Sequence, residues 1–196
     1  LFSADGVQFL CYLVPGPAGE TAPGQRRVNW VWYVNASSEA FGDIMTGQSG
    51  RRYAYFLPAE DVSSASKATL HALASIELPP LMAELVGHSS PFLQPVMDLP
   101  RGRLRRGPVF VIGDAAGTVR PHTASGTSKS IADASFLAQA LRNRTTPDPL
   151  PESELRQWEN YRLRSLEDIA AVGISRAVVS RLGTAESAPI WDRAIR

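Results

Sequence analysis

Residues 109–134 of the chain read VFVIGDAAGTVRPHTASGTSKSIADA. Four apolar residues, Val109 to Ile112, lead directly into Gly113 and Asp114, which is typical of a buried strand that ends at a functional loop. A loop of small residues follows, and a helix is predicted over residues 127–142. The apolar stripe of that helix is expected to consist of Ile131, Ala134, Leu137, Ala138 and Leu141. A strand, an acidic turn and a helix in this order indicate an α/β protein.

The chemistry of this segment suits a ligand that carries hydroxyl groups. Asp114 follows the strand directly, where its carboxylate is well placed to accept hydrogen bonds from a sugar or a polyol. Backbone N–H groups at the start of the following helix attract negative charge or a carbonyl oxygen. Gly126 permits a close approach of the backbone to a ligand. The alternative interpretation of Asp114 is a plain turn after a strand.

The segment resembles the second flavin-contact motif of the single-component aromatic hydroxylases, the family that includes p-hydroxybenzoate hydroxylase. The chain departs from that motif at Gly117, where histidine is usual, and at Ala124, where the first loop glycine is usual. The variant RPHTASGTSKS and the upstream strand NWVWY are similar to the 2,6-dihydroxypyridine hydroxylase branch. The positions that match the motif are Gly113, Asp114, Ala115, Ala116, Pro121, Gly126, Asp133 and Ala134.

The resemblance implies a site for FAD. Asp114 would bind the ribityl chain, and the loop from Pro121 to Ser128 would line the isoalloxazine ring. The helix that starts near Thr127 would point its positive end at N1 and the C2 carbonyl of the flavin. The cofactor-binding residues implied in this way are Gly113, Asp114, Pro121, Ser125, Gly126, Thr127 and Ser128.

The activity implied by the resemblance is hydroxylation of an electron-rich aromatic or heteroaromatic ring, such as a hydroxypyridine, with NADH or NADPH and oxygen. Two alternatives stay open. One is another flavin enzyme of the same scaffold, a halogenase or an epoxidase, and the other is a non-catalytic small-molecule binding module. No side chain is assigned as a catalytic acid or base.

The first part of the chain is rich in predicted strands. Residues 9–14, FLCYLV, are expected to form a buried strand, and residues 28–34, VNWVWYV, its partner in a long-looped hairpin. Residues 52–57 predict a third strand and residues 91–98 an interrupted edge strand, because Pro95 cannot donate to a ladder. Helices are expected over residues 64–76, over residues 81–86 and again from Ser153 toward Gly183.

We expect residues 1–98 to form a substrate-binding sheet domain and residues 99–196 the C-terminal part of a Rossmann-like FAD domain. The mixed or antiparallel sheet of the first domain would be flanked by helices. The GxGxxG spacing that cradles the FAD pyrophosphate is not found, and the chain does not begin with Met. These features predict the C-terminal half of a roughly twofold longer enzyme, inactive alone.

Strand periodicity selects candidate substrate residues. Asn29 and Tyr33 share one face of their strand, whereas Trp30 and Trp32 share the other and are expected to pack in the core. The polar tips of the first face predict a substrate pocket. Tyr53 on the next strand and His122 in the flavin loop are expected to join it. A structural hydrogen bond within the loop is the alternative for His122.

The lysine and arginine side chains have few special roles in this interpretation. A phosphate loop would need glycine at positions 123 and 128, so Lys129 is expected to be a solvated or loop-bracing charge. The arginines at positions 101, 103, 105 and 106 are expected to form a solvated connection. The helices that carry Trp158 and Tyr161 are expected to pack against the cofactor domain or a second subunit, so a homodimer stays open.

The composition excludes several other classes. The 20 Lys and Arg nearly balance the 19 Asp and Glu, which gives no general attraction to nucleic acid or to an anionic membrane. No run of 18 apolar residues is present, so a membrane-spanning helix is not expected. The single cysteine, Cys11, is expected to be a buried apolar residue, and no zinc-ligand spacing occurs. The first residues lack the pattern of a secretory signal, and we expect a cytoplasmic protein.

Overall fold

The computed structural model describes residues 1–99, 102–144, 149–183 and 189–193. These residues form two units. The first consists of Leu1–Pro95 with the described part of Val178–Arg196, and the second is Val96–Ala177. The end of the chain groups with the first unit because the Asn35 side chain donates to the Arg181 carbonyl (2.8 Å) and accepts from the Gly183 N–H (2.8 Å).

The first unit contains a three-stranded antiparallel sheet, β1 (Phe2–Ala4), β2 (Val7–Val14) and β3 (Arg27–Val34), in that order. The predicted hairpin of the second and third strands is confirmed, with Cys11 opposite Trp30. The expectation that the second strand is buried is wrong for its far end, because Tyr12 and Leu13 are more than half exposed.

One face of this sheet packs against helices. Both tryptophans lie on that face as expected, and the Phe9 and Trp30 rings stack at 5.5 Å. Cys11 is only partly buried against the same core. The helices of the unit are α1 (Ser38–Ile44), α2 (Ser64–Glu77), α3 (Pro80–Gly87) and, at the end of the chain, α6 (Ile190–Arg193). The buried core consists of Val7, Phe9, Leu70, Leu73, Ala74, Leu78, Val86, Ile190 and Trp191.

The two central helices begin and end where their sequence predicts. The Ser63 hydroxyl accepts a hydrogen bond from the Ser66 N–H and caps the start of α2. Helix α3 begins at Pro80, whose missing N–H costs nothing at the first helical position. Both predicted helices are therefore confirmed.

The predictions of strands at residues 52–57 and 91–98 are wrong. Among the described residues, these segments form only isolated bridges, between Thr46 and Arg52 and between Leu57 and Leu93. Prolines at positions 58, 91 and 95 lack the N–H groups that would extend either bridge into a ladder.

A buried carboxylate organises the segment around residues 47–61. Asp61 accepts hydrogen bonds from the Ser49 N–H (2.9 Å), the Ser49 hydroxyl (2.7 Å) and the Tyr53 hydroxyl (2.9 Å). The bonds from Ser49, followed by that from Tyr53, lower the pKa of Asp61, and the shared bond raises the pKa of Tyr53. Position 47 must be glycine, because a Cβ there would lie 2.0 Å from an Asp61 carboxylate oxygen.

The second unit contains a short antiparallel pair, β4 (Arg105–Arg106) and β5 (Val109–Phe110), and two long helices, α4 (Gly126–Ala140) and α5 (Glu152–Val179). Val178 and Val179, the last two residues of α5, are grouped with the first unit. The prediction of a buried strand over residues 109–112 is wrong: Val109 is 63% exposed, and β5 pairs only with β4 among the described strands. The core of this unit consists of Leu104, Ala116, Trp158 and Leu166.

Helix α4 does not bury the apolar stripe that its sequence predicts. Ile131 is 62% exposed, whereas Leu137 does pack against the core. The residues that α4 buries are Lys129 and Asp133.

The arginine-rich connection differs from expectation at Arg105, which pairs with Glu152 and is mostly buried. Arg101 lies outside the described residues. In the described part of the chain, no helix combines the length and the apolar character that a membrane crossing needs.

Replacing Asp61 with asparagine is expected to lower the thermal unfolding midpoint by a few degrees at neutral pH, because an amide cannot accept all three hydrogen bonds. The pKa of Asp61 is lowered in the folded state, so its stabilising effect is complete above the ordinary value of 3.8 and is lost as the pH falls through the folded value. The midpoints of wild type and D61N should therefore converge in acid. D43N, at an exposed aspartate of α1, is the control. A difference between wild type and D61N that persists in acid would contradict this assignment.

Candidate functional site

The Gly113–Asp114 turn presents an exposed carboxylate on a buried backbone. Gly113 begins a short 3₁₀ helix, Gly113–Ala115, with φ of +63°. A Cβ at this position would be strained and would lie 3.1 Å from the Ser130 hydroxyl oxygen, so the turn requires glycine. The Gly113 backbone is buried, whereas the Asp114 side chain is 76% exposed. The carboxylate of Asp114 is therefore accessible to a ligand.

Charged side chains of α4 hold both sides of Gly113. Its N–H donates to Asp133 (2.9 Å), and its carbonyl accepts from the Lys129 ammonium (2.5 Å). Arg162 of α5 donates to the second oxygen of Asp133 at 2.6 Å. The three side chains are almost completely buried, at 0%, 1% and 3% exposure for Lys129, Asp133 and Arg162. Of the two expectations for Lys129, the loop-bracing one is therefore confirmed and the solvated one is wrong.

The start of α4 is open toward solvent. The cap residue Ser125 makes no side-chain hydrogen bond to the helix, and residues 126–128 are exposed. A Cβ at Gly126 would meet no atom within 4 Å. The N–H groups of the first helical turn have no partner within a helix, so they can bind an anion or a carbonyl oxygen.

The loop before α4 is held by ionic and backbone contacts. Asp98 accepts hydrogen bonds from the Arg120 N–H (3.0 Å) and from two guanidinium nitrogens (2.8 and 2.6 Å). Arg176 of α5 donates to the His122 carbonyl at 3.1 Å. Gly173 lets α5 approach this loop, because a Cβ there would lie 3.0 Å from Cγ of Arg120. The loop is therefore held by residues from the start of the second unit, Asp98, and from its end, Gly173 and Arg176.

Two side chains in the loop have special environments. Burial, followed by the nearby charge of Arg120, lowers the pKa of His122, so its imidazole is neutral at pH 7. The Thr123 hydroxyl is buried and has no hydrogen-bond partner among the described residues. An unpartnered buried hydroxyl is costly unless a ligand or water satisfies it.

The predicted cofactor residues come together, whereas the predicted substrate residues are divided between the two units. The seven cofactor positions lie on the Gly113 turn, the Pro121–Ser125 loop and the first turn of α4, all in the second unit with His122. Asn29 and Tyr33 lie half-buried on β3 in the first unit, where burial raises the pKa of Tyr33. Tyr53 is not on a strand as expected, and its hydroxyl is bonded to Asp61.

The sequence interpretation missed the charge network around Gly113. The spacing of Lys129 and Asp133, four residues apart, was the available signal, since such residues lie on the same face of a helix. Arg162 could not have been identified, because its contact with Asp133 spans 29 residues and a helix–helix interface.

Comparisons with known proteins place the chain among FAD-binding proteins. A family model described as FAD binding domain-like matches residues 1–98, half of the chain. The chain therefore belongs to the FAD binding domain-like family. This match ends before Gly113, so the family assignment and the candidate site rest on different segments.

Individual relatives extend over most of the chain. It is 29% identical to 2,6-dihydroxypyridine 3-monooxygenase of Paenarthrobacter nicotinovorans over 161 residues, which are 82% of this chain and 39% of the relative. The structure of 2,6-dihydroxypyridine-3-hydroxylase from Arthrobacter nicotinovorans matches with a TM-score of 0.78 and 26% identity, over 95% of this chain and 47% of that one. The chain thus spans less than half the length of either relative.

A more distant structure agrees in fold alone. PqsL, a probable FAD-dependent monooxygenase from Pseudomonas aeruginosa, matches with a TM-score of 0.50 and 18% identity, over 96% of this chain and 50% of that one. Together with the 2,6-dihydroxypyridine-3-hydroxylase structure, it confirms the predicted α/β class with an antiparallel sheet and flanking helices.

The residues at the turn fit part of an FAD molecule. Asp114 offers an exposed acceptor for hydroxyl groups, and the open N-terminus of α4 suits the electron-rich edge of a flavin. The buried Thr123 hydroxyl is a further polar group that a ligand could satisfy. The donor set is therefore compatible with the ribityl chain and the flavin ring, and the chain has no GxGxxG segment for the pyrophosphate.

The substitution Ala124→Gly is expected to stabilise the protein by about 0.5–1 kcal/mol, because an L-residue in the left-handed region costs more than glycine loses in entropy. Ala124 has φ of 53° and is exposed, so no packing is lost. Chemical denaturation measures the change. The same substitution at Ala134, exposed within α4, should instead destabilise by about 0.5–1 kcal/mol. Equal effects at both positions would show that the Ala124 conformation is not strained.

Proposed function

We propose that the protein is an FAD-dependent monooxygenase that hydroxylates an aromatic or heteroaromatic, hydroxypyridine-like ring with NADH or NADPH and oxygen. The observation that carries this proposal is the accessible Asp114 carboxylate on a Gly113 turn that buried charges hold beside the open start of α4. The names of the relatives, both hydroxylases of 2,6-dihydroxypyridine, support the substrate class.

The residues of the turn would bind and orient the cofactor. Asp114 would accept hydrogen bonds from the ribityl hydroxyls, and the N–H groups of Thr127 and Ser128 would stabilise negative charge on the flavin ring. Pro121 and Ser125 would border the ring from the loop. FAD would supply the electron transfer and oxygen chemistry, which no amino-acid side chain provides.

Fewer residues are proposed to bind the substrate than to bind the cofactor. Asn29 and Tyr33 share the face of β3 opposite the tryptophans, and their amide and hydroxyl groups can hydrogen-bond to ring substituents. His122 would offer a neutral imidazole from the flavin loop. Tyr53 stays a prediction, although its hydroxyl is already used by Asp61. We assign no residue as a catalytic acid or base.

Replacing Asp114 with alanine is expected to weaken FAD binding by about tenfold to a hundredfold, because hydrogen bonds to a charged acceptor are lost. The dissociation constant is measured by fluorescence titration of the full-length apoprotein with FAD. Asp168→Ala, at an exposed aspartate of α5, is the matched control and should leave the affinity unchanged. An unchanged affinity in D114A would remove the basis of the cofactor assignment.

The reaction itself is tested with the full-length protein, FAD, NADH or NADPH, oxygen and a panel of hydroxypyridines. We expect substrate-dependent oxidation of NADH or NADPH, which is measured by spectrophotometry. We also expect a product heavier than its substrate by one oxygen atom, which is identified by mass spectrometry. Halide incorporation or epoxide formation would instead assign a different flavin reaction. FAD binding without turnover of any aromatic compound would contradict the hydroxylase proposal.

A further inference from the structure

Lys129 has a buried charge that the proposed contacts between protein and cofactor do not use. We infer that Lys129 is a positioning residue for the FAD site, which acts on the cofactor through Asp114 rather than by touching it. This inference rests on the proposed function, since it assigns how the same site is kept in its binding conformation.

The hydrogen bond from Lys129 holds the peptide unit that leads to Asp114. The carbonyl that accepts the Lys129 hydrogen bond belongs to the peptide unit that joins Gly113 to Asp114. A peptide unit is planar, so a contact that fixes its carbonyl also fixes the direction in which the next residue leaves the turn. Asp133 holds the preceding peptide through the Gly113 N–H at 2.9 Å. The backbone on both sides of Gly113 is therefore fixed, and Lys129 provides the side that leads to Asp114.

The charges around Lys129 also connect it to Asp114. Lys129 and Arg162 bring two positive charges into the buried network, whereas Asp133 brings one negative charge. The carboxylate of Asp114 lies 4.0 Å from the Lys129 ammonium and supplies a second negative charge. The Lys129 ammonium is fully buried and the Asp114 carboxylate is 76% exposed, so solvent screens part of their attraction. The remaining attraction favours positions of the carboxylate close to the turn and leaves it accessible. Lys129 thus acts on both the backbone and the side chain of Asp114.

A purely structural lysine is the alternative, and it predicts a different result. If Lys129 only stabilised the second unit, its removal would change FAD affinity independently of Asp114. If it acts through Asp114, its removal matters only while the Asp114 carboxylate is present. Non-additivity of two substitutions in a double-mutant cycle separates these two cases.

The substitution Lys129→Met removes the charge and keeps most of the side-chain volume. Asp133 keeps its hydrogen bonds to Arg162 and to the Gly113 N–H in this variant, so no buried carboxylate loses all its partners. The other lysine of the sequence, Lys67, lies on α2 in the first unit and provides the matched control K67M.

FAD affinity is measured by fluorescence titration of full-length apoproteins of wild type, K129M, D114A, the K129M/D114A double variant and K67M. We expect K129M to raise the dissociation constant about tenfold, a typical effect for a charge acting through a neighbour. The double variant should bind as weakly as D114A alone, within about twofold. K67M should bind as wild type does.

Each other outcome has a defined meaning. Wild-type affinity in K129M, or a double variant whose loss is the product of the two single losses, overturns the positioning role. Wild-type affinity in D114A defeats the proposed function itself, whatever K129M does. If K129M does not fold, K129Q replaces it in the same cycle. Its amide can donate to the Gly113 carbonyl but carries no charge, so it removes only the attraction to the Asp114 carboxylate and should weaken binding by less than about tenfold. A loss in K129Q that is the same with and without the Asp114 carboxylate overturns the positioning role.

Discussion

The candidate site depends on two hydrogen bonds between α4 and the backbone of Gly113. Asp133 accepts from the Gly113 N–H, and Lys129 donates to the Gly113 carbonyl. Burying an ammonium or a carboxylate is unfavourable unless each group finds partners. Lys129 and Asp133 find theirs in each other, in Arg162 and in the Gly113 backbone. The same contacts that make these charges tolerable also place the helix start and the Asp114 turn side by side. The same side chains therefore stabilise the second unit and set the geometry of the candidate site.

That network explains both the success and the failure of the sequence-based predictions in the second unit. The prediction of a turn followed by a helix is confirmed, and the first and last parts of this segment are in contact, since the Gly113 N–H donates to Asp133. The buried face of α4 was predicted wrongly, because an apolar-stripe argument assigns polar residues to solvent. Here the polar residues face inward, and Ile131 is exposed. Periodicity detects a helix well but cannot recognise a buried ionic network.

In the first unit, local sequence was a better guide. The alternation in residues 28–34 placed Trp30 and Trp32 on the core face, and the serine and proline signals bounded α2 and α3. The strand prediction at residues 52–57 failed because a strand needs a partner with free N–H groups. The segment that lies opposite Leu57 is interrupted by prolines, which only the pairing of distant residues reveals. Tyr53 consequently contacts Asp61 rather than a sheet neighbour.

On the proposed function, the Gly113 turn is already arranged for a flavin before one binds. A crystal structure of the full-length protein with FAD would show whether it is. We predict that the Asp114 carboxylate lies within hydrogen-bond distance of a ribityl hydroxyl and the flavin ring at the start of α4. The Lys129 ammonium should still contact the Gly113 carbonyl as it does here. An FAD bound elsewhere, or a Lys129 side chain that has left the Gly113 carbonyl to contact the cofactor, would show that the turn is not arranged in this way.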